Sequence, residues 1–177
     1  MRYHGLAILA LLVLPGCVFI DQYPSEWGVP RLTSDNTCPD ISGIFRDRGE
    51  RVNSKFEPSL SNQLLQPRYW NTAETVEIKF LEPTQLLIRV FAGKQLLAES
   101  LLSSSNREFE CRKGYVVIKK GEFINREGVF GGEKRAFFFA PSDNALIVKE
   151  DSSALGLMLL IPVAGTSTTW SQFHRIE

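Results

Sequence analysis

The residues able to do chemistry are few in this 177-residue chain: two histidines, three cysteines and 20 acidic side chains. His4 sits at the very start, which leaves His174, the fourth residue from the end, as the only histidine a folded body can use. One histidine cannot build a zinc triad, and neither HExxH nor a cysteine–histidine metal spacing occurs. A serine hydrolase would have to recruit His174, and no GxSxG elbow accompanies it. Carboxylate neighbours such as Asp47 and Glu50, or Glu150 and Asp151, look like ordinary solvated groups. Gly128, Gly131 and Gly132 match neither GxxxxGK[ST] nor GxGxxG, and read as a hairpin bend. The expectation is therefore a protein without catalytic residues, metal or cofactor. The thiols are different, because their positions carry information.

Cys17 closes the stretch Leu14-Pro15-Gly16-Cys17, which follows an unbroken apolar run of nine residues, Leu6–Leu14. A helix needs ~20 apolar residues to cross a bilayer, so this run is too short. Arg2 before it and small residues after it give the outline of a secretory signal. The LPGC tetrad resembles the bacterial lipobox, a leucine three residues before a cysteine. That resemblance implies cleavage between Gly16 and Cys17, a diacylglycerol thioether on Cys17, and acylation (typically palmitate) of its new amino group. It also implies retention at the outer membrane, because Val18 and not aspartate follows the cysteine. The periplasmic side is the expected location. Residues 1–16 are then the signal and 17–37 a lipid-anchored tether.

Cys38 and Cys111 are an even pair in an exported chain, which points to a disulfide. Closing a loop of 73 positions would stabilise the fold by roughly 4 kcal/mol in the chain-entropy model.

These thiols need a body to hold them, and residues 38–177 supply it. The whole chain has 20 basic and 20 acidic residues, and removing Arg2 leaves one more acidic than basic. No run of like charge suggests nucleic acid as a partner. Pro58 and the spacing of Leu60, Leu64 and Leu65 predict one short helix. From Glu74 onward the pattern is β. ETVEIKF and QLLIRVF alternate, Ala92-Gly93-Lys94 turns, and LLAESLL, YVVIKK, RAFFFA, ALIVKE and LMLLIPV follow, with turns expected at PSDN and SSALG. Eight to ten short strands with one helix predict a mainly β domain, an antiparallel sandwich or an up-and-down barrel.

The CPDISGIF opening, the cysteine pair and the run of short strands are similar to small envelope lipoproteins of Gram-negative bacteria. The β run is also similar to lipocalins, but Gly43-Ile44-Phe45 stands where that family has Gly-x-Trp, so no ligand residues are carried over. Two segments are apolar on both faces: Phe137, Phe138 and Phe139, and the run containing Leu157, Leu159 and Ile161. A one-sided sheet should be polar on its outer face, so something is expected to cover them. The candidates are the rest of the domain, an envelope protein partner, or an apolar ligand in a barrel cavity. With the lipid on Cys17 as membrane contact, the sequence predicts a non-enzymatic lipoprotein serving envelope structure or protein interaction.

Overall fold

A computed structural model describes residues 16–34, 37–65, 72–126, 129–158 and 161–176. The signal segment up to residue 15, Gly128 and Leu159 lie outside the described residues. Those described form eleven strands, one α-helix and one 3-10 turn. The domain is a β sandwich of two sheets.

The smaller sheet has four strands in the order β2 (Gly43–Arg46), β4 (Thr75–Glu82), β5 (Gln85–Ala92), β6 (Gln95–Ser103). The alternation seen in the sequence sets its faces. Val76, Ile78, Leu86, Ile88 and Val90 are buried, whereas Arg89 lies on the other face and reaches Glu99 at 2.6 Å and Glu77 at 3.6 Å. Gly93 turns β5 into β6 with φ +56°, a conformation that favours glycine.

The larger sheet runs β1 (Cys17–Ile20), β11 (Ile161–His174), β10 (Ala145–Met158), β9 (Val129–Pro141), β8 (Tyr115–Arg126), β7 (Glu110–Arg112), with β3 (Glu50–Arg51) also on β11. Four of these strands run for 12 to 14 residues, longer than the short strands expected. The excess arises where turns were predicted. SSALG is the middle of β10, and Gly131 and Gly132 lie inside β9, paired with Gly156 and Leu155. A Cβ on Gly131 would come within 2.4 Å of the Leu155 carbonyl oxygen, and one on Gly156 within 2.6 Å of the Phe130 oxygen. Glycine here permits close approach of paired backbones. The turn expected at PSDN is present, with the Ser142 N–H donating to the Ala145 carbonyl at 2.8 Å.

The core fills the space between the sheets at one end of the molecule. Val116, Ile118, Phe137, Phe139, Leu146, Val148 and Phe173 of the larger sheet pack against Phe45, Val76, Ile78, Leu86 and Ile88. The predicted helix is α1, Leu60–Leu64, and it contributes Leu60 and Leu64 to this core. Ser59 caps it, its Oγ accepting from the Asn62 N–H. Asp47 fixes its start from below: fully buried, it accepts from the Ser61 N–H at 2.8 Å and from the Ser59 hydroxyl at 3.2 Å.

The two sheets touch at one corner, where Phe45 bridges Arg175 and the Ile176 N–H donates to the Ile44 carbonyl at 2.7 Å. Among the described residues no pairing joins β6 to β7, so the sheets stay a sandwich and do not close into the alternative barrel. Cys38 and Cys111 are disulfide-bonded, as expected, and tie the segment entering β2 to β7 of the opposite sheet.

Candidate functional site

The described part of the stretch 17–37, expected as a tether, is laid along the domain. Cys17–Ile20 forms a strand parallel to β11, with Cys17 opposite Gly165 and Ile20 opposite Thr168. The Asp21 N–H then donates to the Thr168 carbonyl at 2.9 Å. Tyr23 stands edge-on to Trp27 and to Trp170, with ring centroids 6.4 Å and 4.9 Å away. Each such pair contributes ~0.5–1.5 kcal/mol beyond area burial. Further on, the Arg31 N–H donates to the Pro141 carbonyl at 2.8 Å, and the Ser142 hydroxyl to that of Trp27 at 3.3 Å. Leu32 and Thr33 press against the β7–β8 turn, where Gly114 has φ +78° and no room for a Cβ. Aromatic packing and backbone pairing hold the segment on the domain despite Pro24, Gly28 and Pro30. Cys17 is an exposed free thiol at the start of β1, at the open edge of the sheet. Gly16 precedes it beside the Ala164 carbonyl.

The doubly apolar segments separate in space. Phe137 and Phe139 face the core and are covered by the opposite sheet. Phe138 points to the other face and is half-buried, with the Tyr115 ring edge-on at 5.9 Å and the Lys149 ammonium 5.2 Å above its ring. Leu157 and Ile161 are at the far end of the same sheet, 44% and 51% exposed, and no part of the described chain covers them. The cover expected there is absent: Leu157 is on the outer face with Phe130, and Ile161 is on the inner face where β11 extends past the smaller sheet.

Between the core and that far end, the inner face of the larger sheet carries a cleft of about 490 Å³ that sequence reading missed. Its side chains come from β3, α1, β8, β9, β10 and β11, so no local motif announces it. Arg51 donates to Glu150 at 2.8 Å, and Arg135 grips Glu133 through two nitrogens at 2.8 and 2.7 Å. Lys120 donates to the carbonyls of Asn62 and Leu65 at the end of α1. Burial, and then the nearby Arg135 charge, bring its pKa down to about 8. Arg135 is pushed above its ordinary value, chiefly by the Glu133 hydrogen bond. The acids and bases of this cleft are mostly engaged with one another. His174 lies away from it, 3.2 Å from Glu50 on the exposed rim.

No family model, curated protein or solved structure matches the chain. Among the described residues no helix is long and apolar enough to cross a membrane.

Proposed function

We propose that this chain is a lipid-anchored lipoprotein of the outer membrane, acylated at Cys17 after cleavage behind Gly16. Its β sandwich serves envelope structure or protein interaction and acts by binding rather than catalysis. The observation that supports this best is the LPGC tetrad ending a short apolar run, joined to an exposed Cys17 that begins the first strand. The acyl chains are the membrane contact, with the body on the periplasmic side. Several chains on one residue would hold where a single chain binds only weakly, at ~0.8 kcal/mol per buried methylene. The mutual pairing within the charged cleft favours a structural or docking role over a poised acid or base.

Cell fractionation of Cys17→Ser tests the anchor. The expected result is accumulation of uncleaved chain with loss of the outer-membrane form. Crosslinking in intact cells tests the interaction role; a defined envelope protein should be trapped. Unchanged processing and fractionation of Cys17→Ser would overturn the reading.

A further inference from the structure

The register of the larger sheet puts Cys17, Gly165, Ala154, Glu133 and Glu122 in one transverse row. The row is a boundary. Beyond it each of the four long strands continues for four residues: FINR on β8, VFGG on β9, LGLM on β10 and IPVA on β11. Those sixteen positions hold no acid and only two polar residues, Asn125 and Arg126. Phe123 is 73% exposed, Leu155 70% and Phe130 50%, with Leu157 and Ile161 beside them. Apart from Arg126 and its sequence neighbour Glu127, charge returns at the boundary, with Glu122 and Glu133 in the row and Lys134 just behind it.

We infer that this projecting four-strand end is a membrane-inserted wedge, seated in the phospholipid leaflet that receives the acyl chains of Cys17. Two observations select a bilayer as the occupant. On the four long strands the apolar zone stops at the row of the anchor residue itself, and on β1 the exposed Val18, Phe19 and Ile20 continue it just past that row. β1 is parallel to β11, so the chain arriving at Cys17 through Gly16, which lies beside Ala164, comes from the apolar end.

Geometry fixes the depth. Four residues at ~3.3 Å each reach about 13 Å, whereas a strand needs ~9–11 residues to span a bilayer. The outer edges of β8 and β11 beyond the row have no neighbouring strand among the described residues. Unpaired backbone groups are tolerated where headgroups and water reach them but not deep in hydrocarbon. The wedge therefore sits at the headgroup–acyl boundary, like an interfacial helix but built from strands. It supplies a second, non-covalent contact and fixes the orientation of the body, which a lipid alone would leave free to swivel.

The inference draws on the anchor reading only for the direction of the membrane, and one experiment separates the two. Leu157→Cys in the full chain, with Cys17 either carrying its lipid or replaced by Ser so that only the tip thiol reacts, is labelled with the fluorophore NBD and reconstituted into phosphatidylethanolamine–phosphatidylglycerol vesicles. Lys94→Cys, at the β5–β6 turn, serves as the exposed control, and Leu155→Cys as a second tip position in case the first variant folds poorly. The tip labels should show blue-shifted emission and be quenched by acyl-chain nitroxide lipid, while the Lys94 label is not. Tip labels as water-exposed as the control overturn the inference even if Cys17 carries lipid. Shielding that depends on protein concentration and resists lipid quencher assigns the surface to a second copy and also overturns it. Insertion of the Cys17→Ser chain keeps the wedge, and an unmodified Cys17 in protein taken from the host's envelope removes the lipid-anchor reading while leaving the wedge in place.

Discussion

Strands β8 to β11 live in two environments along their own length. At the core end their inner face packs on the smaller sheet, and Phe139, Phe173, Leu146 and Val148 are wholly buried. At the far end the same strands stay apolar, their inner face has no sheet across from it, and on the outer face, shared with Phe138, Leu155 and Phe123 stand open. Apolar character in the first half is explained by the fold. In the second half it is not, since exposing it in water contributes nothing to folding. The contrast shows that an apolar strand marks contact with something, and only what packs on each of its two faces tells whether that partner lies inside the molecule.

Substitutions that sort the two ends should differ several-fold in effect. Phe139→Ala leaves a cavity in a filled core and should lower the unfolding free energy by ~3–5 kcal/mol in a denaturant titration. Next comes loss of the bridge between the sheets. The double variant Cys38→Ala, Cys111→Ala should cost roughly 4 kcal/mol by loop entropy, with a range of about 2–5. Asp47→Ala removes the acceptor for the Ser61 N–H and the Ser59 hydroxyl beneath α1, and should cost about 1–3 kcal/mol. Leu155→Ser at the far end should change stability in solution by less than ~0.5 kcal/mol. A core-sized loss there would show that the far end is buried within the folded chain and would erase the contrast.

The zone between the two ends gives a pH test. Lys120 is held near 8 in the fold against 10.5 for the free side chain, because burial disfavours its charge. Between these values the unfolded chain binds the extra proton, so stability should rise with pH across that window and lose this gain below it. Relative to Lys120→Met, the wild type should gain ~1–3 kcal/mol from pH 8 to 10.5. The paired variant cancels the opposing titration of Tyr23 and Tyr115, which burial raises above 10. A flat difference would mean that Lys120 is solvated and that the cleft floor is open.

The sequence shows some of this plainly and hides the rest for physical reasons. Alternation made β4 and β5 readable, because one face of each is covered and the other wet. Leucine spacing located α1, and the cysteine count located the disulfide. Small residues misled. Ser153, Ala154 and Gly156 suggest a turn when read locally, yet they sit in an inner strand paired on both sides. β1 was invisible because its partner lies almost 150 residues away, and parallel pairing leaves no local signature. The charged cleft was hidden for the same reason, its side chains arriving from six separate elements.

The central claim is that a lipid on Cys17 holds this sandwich against a membrane. Its most direct test is the mass of the amino-terminal peptide of protein taken from the host's envelope. A peptide beginning at Cys17 and heavier by a diacylglyceryl group and one further acyl chain is the predicted result. A peptide of unmodified mass, or one in which Leu14 to Cys17 remains intact, would contradict it.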